Sequence, residues 1–469
     1  MLKSLNSIVQ GGREVLPLIE GGKGISATNG MSAGAWAAAG GIGTVSAVNA
    51  DSYDDGGSLI AQIYRGRTRA DRHEELLVYA IKGGIEQVRR AWEQASGKGL
   101  ININVLWEMG GAQRVLHGVL EKTRGLVHGV TCGAGMPFKL SEIAAQYGVH
   151  YYPIVSSARA FRLLWKRAYS KTAELLGAVV YEDPWRAGGH NGLSNAEDPL
   201  QPQDPYPRVA ELRKVMREEG VPDSVPIVMA GGVWFLREWA DWLDNKELGT
   251  IAFQFGTRPL LTRESPIPQS WKDALLKLLP GDVLLHKFSP TGFYSSAVKN
   301  SYLRELEARS QRQIAYSTES AGDHVFALDV GNLPPGKSFY VTRNDLLSAR
   351  GWAGEGFTDA MATPDNTLIF VDPLKKKEIR KDQADCMGCL SQCQFSSWSQ
   401  GEKYTTGRLA DPRSFCIQKT LQDIAHGGDV DNNLMFAGHN AYRFAQDPFY
   451  SNGFVPSVKQ LVERICTGD

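Results

Sequence analysis

Short apolar runs recur along the first 260 positions, and nearly every one ends in Gly, Ser or Asn. They fall at 14–20, 42–48, 100–106, 125–131, 150–155, 176–181, 225–230 and 249–255. Continuous apolar runs bounded by turn residues are the pattern of strands buried on both faces. Between them, apolar residues recur at helical spacing. The segments 31–39, 70–96, 158–171, 207–219 and 234–243 predict helices. In 70–96 the stripe is Leu76, Leu77, Ala80, Ile81, Ile85 and Val88; in 207–219 it is Val209, Leu212 and Val215. Alternating strands and helices make an α/β protein, either a doubly wound sheet or a barrel. Eight units over roughly 250 residues favour the (β/α)8 TIM barrel. In a barrel, the loops at the carboxyl ends of the strands build the active site, and the glycine clusters fall there.

After position 256 the pattern predicts helices at 271–279 and 301–312, with a loop at 289–292 between them. From about 313 the rhythm is lost. Strands are expected at 326–330 and 338–342, a loop at 351–357 and a solvated charge run at 375–381. The expected organisation is a barrel over 1–312 with a helical insertion at about 52–98, then an irregular or β insertion over 313–385. A cysteine-containing, largely helical segment, 386–469, then returns to the barrel. No internal repeat of solenoid period is found.

Composition narrows the function. Lys plus Arg and Asp plus Glu are both 51, so the net charge is zero. That argues against a protein that coats nucleic acid by neutralising phosphates. Glycine, at 50 of 469 residues, sits in short clusters between apolar runs, as tight loops require. The first ten residues hold no apolar core of signal-peptide length, and no run reaches the ~18 apolar residues of a membrane helix. A soluble, cytoplasmic chain without a membrane or nucleic-acid partner is expected.

Three groups of residues can carry chemistry. The first is a pair of glycine turns after the seventh and eighth strands: Ala230-Gly231-Gly232, and Gln254 with Gly256 and Thr257. Barrels hold phosphates at these two positions, on backbone N–H groups. Ordinary tight turns are the alternative. No Walker A or GxGxxG dinucleotide motif is present, and Gly21-Gly22-Lys23-Gly24 lacks the spacing of a P-loop. The second is His190, which follows Gly188 and Gly189 after the sixth strand. An imidazole there can exchange a proton near neutral pH, or can be a structural histidine. The third is Cys386-x2-Cys389-x3-Cys393-x22-Cys416. Four thiolates suit tetrahedral zinc or a [4Fe–4S] cubane, and free buried thiols are the bland alternative. Three close cysteines and a remote fourth fit the cubane better. Cys132, at a strand end, is a candidate to line the site; Cys466 has no assigned role.

In order along the chain, 16–26, Gly133-Ala134-Gly135-Met136-Pro137, 153–157, Ala187-Gly188-Gly189-His190, Ala230-Gly231-Gly232, 254–257 with Glu264-Ser265, and Ser289-Pro290-Thr291-Gly292 resemble the nitronate monooxygenases, the 2-nitropropane dioxygenase group. FMN-dependent enoyl reductases belong to the same superfamily. The cysteine segment and Gly438-His439-Asn440-Ala441-Tyr442-Arg443 are similar to a longer bacterial branch. The resemblance implies non-covalent FMN in a TIM barrel. Its phosphate would lie on Gly231, Gly232, Gly256 and Thr257, with Ala230 and Gln254 alongside. The ring would lie over Gly22, Lys23 and Gly24, near Asn102, Cys132 and Gly189. His190 would be the catalytic histidine.

Lys23 departs from the methionine usual in the family, and Glu182, Asp183 and Arg186 replace a blander segment. Three readings follow. The first is oxidation of nitronates or nitroalkanes through flavin with O2. The second is reduction of an activated C=C bond by FMN and an iron–sulfur centre, fed by an electron-carrier protein or NAD(P)H. The third is a zinc-containing, non-catalytic interaction protein. The sequence leaves the oligomeric state and the small-molecule substrate open.

Overall fold

The computed structural model describes residues 5–54, 56–333, 336 and 338–468. The part of the N-terminal reading that rests on residues 1–4 lies outside them. Eight parallel strands close into a barrel in chain order. They are β1 Leu18–Glu20, β2 Ile42–Ser46, β3 Leu100–Leu106, β4 Gly129–Gly133, β5 His150–Val155, β6 Val179–Glu182, β7 Ile227–Ala230 and β8 Ile251–Phe255. The helices α1 Gly30–Ala38, α2 Arg69–Ala95, α3 Ala112–Lys122, α4 Leu140–Tyr147, α5 Ala158–Arg167 and α6 Pro205–Glu218 surround it.

The strands are apolar on both faces because each face meets a core. Ile227 and Met229 point out to the helix layer, as do Ile101, Ile103 and Val105. Val228 and Ala230 point into the barrel with Ile19, Ile42, Leu100 and Ala252. A hairpin, Ile8–Gln10 with Arg13–Val15, turns through Gly11 and Gly12, both at positive φ, and sends Ile8 and Val15 into the interior cluster. Such a two-residue turn follows the twist of its strands only with φ > 0, the conformation glycine adopts without strain.

The segment at about 52–98, expected as an insertion, contains the β2-to-β3 crossover helix itself. Helix α2 begins at a Thr68/Asp71 capping box and buries Leu77, Ala80, Val88 and Ala91 in the barrel core. Its length is matched to a close contact with α1. A Cβ on Gly34 would stand 2.5 Å from Gln94, which explains the small residues of α1.

Beyond the barrel the structure departs from the expected pattern at 351–357 and adds elements elsewhere. The 351–357 loop is in large part helix, Arg343–Gly354, capped by Thr342. The charge run at 375–381 lies in a helix, Pro373–Ala384, capped by Asp372 and anchored by buried Ile379. Strands Gln313–Ala315, Thr367–Val371 and Asp359–Ala362 form an antiparallel sheet over their own apolar cluster of Ile314, Val341, Leu346, Leu368 and Phe370. The C-terminal helix Val458–Cys466 packs on α1 and adds Val458, Leu461, Val462 and Ile465 to the barrel core. Among the described residues, no helix is long and apolar enough to cross a membrane.

Candidate active site

Strands β6, β7 and β8 end at one level, with Ala230 in register with both Glu182 and Gln254. The chain then turns sharply. Gly231 and Gly232 have φ of +87° and +80°, and a Cβ on Gly232 would meet the Arg186 side chain at 2.8 Å. The turns enclose a recess of about 80 Å³, lined by Gly231, Gly232, Gly256 and Thr257, with Arg186 and Arg258 on its wall, the first beside Asp183 and the second beside Asp447. A glycine-lined recess at strand ends, bordered by two guanidinium groups, suits a phosphate.

The C-terminal segment completes this recess. Asn440 Nδ2 donates to the Gly232 carbonyl at 2.5 Å, and the Gly438 N–H donates to Thr257 Oγ1 at 2.9 Å. Gly188 leaves room for that segment, since a Cβ there would meet the Ala437 carbonyl carbon at 2.6 Å.

The recess opens into a cavity of about 430 Å³ that shares Glu182, Gln254, Gly256 and Thr257 with it. Gly22, Asn104, Thr131 and Gly133 line its barrel side; Met136, Leu164, Phe293 and Phe436 are among its apolar walls. A long cavity with an anion recess at one end fits a flat flavin carrying a phosphate tail.

His190 does not sit in an irregular loop. Gly189–His190 is a short strand paired with Ser295–Val298, which pairs in turn with Val283–His286. His190 Nε2 lies 2.6 Å from Ser289 Oγ, and that hydroxyl lies 2.8 Å from Thr291 Oγ1. Phe436 meets the imidazole edge-on at 5.5 Å. Burial pushes the His190 pKa down to about 4, so the ring is neutral at physiological pH and can accept a proton.

Two other titratable groups face the cavity. Glu182 has its pKa pushed up to about 8, first by burial and then by neighbouring Asp183. Lys23 Nζ is held 3.2 Å from Glu20 Oε1 and donates to the Gly21 carbonyl at 2.8 Å. Burial raises the Glu20 pKa and lowers that of Lys23, each opposed by the partner. Arg186 pairs with Asp183 at 3.8 Å.

Gly22, Lys23, Gly24, Gly189, His190, Gln254, Gly256 and Thr257 therefore line one cavity, and Ala230, Gly231 and Gly232 line its recess. Asn102 and Cys132 line neither. Asn102 faces the interior one layer below Asn104, which does line the cavity. Cys132 lies on the outward face of β4 with Val130, in the helix-side core, and burial pushes its thiol well above its ordinary range. The inward residues of β4 that reach the cavity are Thr131 and Gly133, one position away on either side. A period-two strand makes that single step a change of face. Sequence reasoning also missed Arg258, Phe436, Gly438 and Asn440. Arg258 directly follows the Gly256-Thr257 turn; the other three come from a segment some 180 residues downstream, where Gly438 and Asn440 stand in a recognisable motif with nothing local to tie it to the strand ends.

The four clustered cysteines lie away from the cavity lining. Cys386 and Cys393 are buried in a second apolar cluster, against which Cys389 and Cys416 pack. Among the described residues, no three His, Cys, Asp or Glu side chains converge to hold a single metal ion.

The chain is similar in structure to FabK from Thermotoga maritima, with 16% identity, 96% of this chain and 92% of that chain covered, and a TM-score of 0.51. It is similar to the nitroalkane oxidase from Streptomyces ansochromogenes, with 15% identity, coverage of 97% and 95%, and a TM-score of 0.51. The enoyl reductase domain of MlnA from the macrolactin biosynthesis cluster of Bacillus amyloliquefaciens gives 12% identity, coverage of 97% and 93%, and a TM-score of 0.52. At these identities the likeness is one of fold. No curated protein matches the sequence. The sequence profile of the nitronate monooxygenase family matches residues 13–468. The chain belongs to the nitronate monooxygenase family and is an FMN-dependent oxidoreductase.

Proposed function

We propose that this chain oxidises nitronates, and the nitroalkanes from which they form, with O2 as the terminal oxidant. The observation that carries this reading is His190: a neutral imidazole on the cavity wall, its Nε2 fixed by Ser289. When bound, FMN would supply the redox chemistry that links oxidation of the nitronate to O2. Gly231, Gly232, Gly256, Thr257, Arg258 and Asn440 would hold its phosphate. His190 removes the carbon-bound proton when a neutral nitroalkane enters, and has no proton to remove when the nitronate anion enters. The test is oxygen uptake by the FMN-loaded protein with a nitronate. Uptake that saturates with substrate and requires flavin supports the reading; uptake no faster than free FMN refutes it.

One observation favours a second reading, an FMN-dependent reductase of an activated C=C bond. A cysteine set beside a flavin cavity suits electrons arriving singly through a [4Fe–4S] centre, from a carrier protein or NAD(P)H. An enzyme that only passes electrons to oxygen has no need of one. Anaerobic bleaching of the flavin by NAD(P)H or a reduced carrier, reversed by an enoyl thioester, would decide for it. Family membership removes the ground for a non-catalytic zinc protein.

A further inference from the structure

We propose that Cys386, Cys389, Cys393 and Cys416 ligate an iron–sulfur cubane set behind the wall of the flavin cavity. The site depends on neither substrate reading. It is built from two segments that the fold brings together. The 386–393 loop is docked on the turn after β3. The Gly110 N–H donates to the Cys389 carbonyl at 2.9 Å, Ser391 Oγ donates to Glu108 Oε2 at 2.7 Å, and His73 Nδ1 donates to the Gly388 carbonyl at 3.0 Å. Gly388 takes φ +68°, and a Cβ there would strike Trp398 at 2.4 Å, so the loop has one packed conformation. Opposite it, Cys416 is the N-cap of helix Ile417–Ala425. The four sulfurs lie within electrostatic reach of one another.

The donors around the sulfurs identify the form of cysteine that the site is built for. Cys386 Sγ accepts from the Gly388 N–H at 3.4 Å and from Ser396 Oγ at 3.1 Å. The backbone amides of Gln418, of Phe395 and Ser396, and of Lys419 lie near Cys389, Cys393 and Cys416 and favour their charged forms, against burial in an apolar cluster that disfavours them. A neutral thiol is a weak acceptor and needs no such donor. A metal-bound thiolate gains from each, and hydrogen bonds to the sulfurs are among the means by which proteins tune iron–sulfur potentials.

Cluster type follows from the ligand pattern, three close cysteines and a remote fourth. A single tetrahedral ion binds all four sulfurs at ~2.3 Å, which demands close convergence. No group of described residues is arranged to hold one ion. In a cubane each sulfur binds a different iron, so the ligands stand further apart. The position is also suited to redox work. Leu421, five residues into the Cys416 helix, lines the flavin cavity. At 1.5 Å per residue that is about 7.5 Å along the helix.

The test uses the full chain purified without oxygen, with iron, acid-labile sulfide, zinc and flavin each counted. About four iron and four sulfide per chain are expected, with an EPR signal after dithionite that is distinct from a flavin radical. Cys389→Ser and Cys416→Ser should lose at least about tenfold in iron while keeping flavin; Cys466→Ser should keep both. Zinc without sulfide overturns the assignment, as does wild-type protein that takes up no iron after reconstitution with ferrous iron and sulfide. Iron retained in Cys416→Ser, or lost equally in Cys466→Ser, overturns it too. If the quartet variants do not accumulate, the wild-type stoichiometry and EPR signal decide alone. Absence of flavin would count against the proposed function and leave this site standing.

Discussion

His190 Nε2 and the hydroxyl of Ser289 stand 2.6 Å apart, although the two residues come from different segments of the chain, nearly a hundred positions apart. The contact orients the imidazole across a small antiparallel sheet that the barrel itself does not need. Ser289→Ala removes that partner while leaving the ring in place. About a tenfold fall in kcat/KM is expected for a neutral nitroalkane, the effect of one hydrogen bond worth ~1.4 kcal/mol. His190→Asn removes the base itself and should cost 10²–10⁴-fold, roughly the contribution of general-base catalysis. Both variants should oxidise a preformed nitronate at close to the wild-type rate. Equal losses on both substrates would show that His190 positions substrate rather than taking its proton.

The same histidine gives a pH signature. Its folded pKa, about 4, is below the ordinary 6.5, so between these values the unfolded chain binds the extra proton. Stability from this group is complete above pH 6.5 and is lost as the pH falls towards 4. The nearby His286, pushed down to about 3 by burial and by His190, acts in the same direction. Urea melts from pH 7 to pH 4 should show a steeper acid loss for wild type than for His190→Asn. Nitroalkane oxidation should have no acid limb near 6.5.

Glu182 behaves oppositely. Its raised folded pKa, about 8, means that the native state holds a proton that the unfolded chain releases above 4.5. Its contribution to stability therefore declines as the pH rises from 4.5 to 8. The carboxyl also borders the anion recess, so ionising it places negative charge beside a bound phosphate. FMN affinity, measured by flavin fluorescence, should match between wild type and Glu182→Gln at pH 6.5. At pH 9 wild type should bind several-fold more weakly, and Glu182→Gln should not.

The parts of this site that were legible in the sequence are those fixed by local pattern. The eight strands are buried on both faces, so their apolar runs stand out, and the glycine turns mark their carboxyl ends. Faces were harder. The apolar run 125–131 predicts a strand that ends before Cys132, whereas the strand runs Gly129–Gly133 and includes it. The run does not fix the strand's face, so an outward core cysteine reads as a site residue. The sheet carrying His190 was not legible at all, because Gly189–His190 and Ser295–Val298 are short and polar and pair across more than a hundred residues. The helix Arg343–Gly354 starts at a Thr342 cap that accepts from the Asp345 N–H, and Gly351 and Gly354 near its end make the 351–357 stretch read as loop. Asn440 reaches the recess through the fold alone.

Asn440 provides the next expectation. With Gly438 it ties the C-terminal segment to the turns after β7 and β8. Asn440→Ala loses the hydrogen bond to the Gly232 carbonyl, worth about 1 kcal/mol. The FMN Kd should rise about five- to tenfold, with little change in the melting temperature of the flavin-free protein. A fall in melting temperature without a change in Kd would make Asn440 a structural tie and remove it from the phosphate site.

Lys23 separates charge pairing from ligand binding. Its partner Glu20 is 1% exposed, and Lys23 itself is 16% exposed on the cavity wall. Lys23→Met leaves the Glu20 carboxyl buried without a cation. That carboxyl then holds a proton to a higher pH than in wild type, and stability falls as the pH rises through its new pKa. Breaking a buried pair from one side costs ~3–5 kcal/mol, and the partial exposure of Lys23 lowers this to about 2–3 kcal/mol at pH 8, with less at pH 5. Glu20→Gln together with Lys23→Met should recover most of that loss, because no charge remains to be buried. Activity need not follow. If Lys23 only neutralises Glu20, the double variant regains turnover along with stability. If its ammonium also meets an anionic substrate or reduced flavin, stability returns while KM or the flavin midpoint potential stays shifted. Urea melts at the two pH values, read beside KM and a redox titration of the same variants, distinguish the two roles.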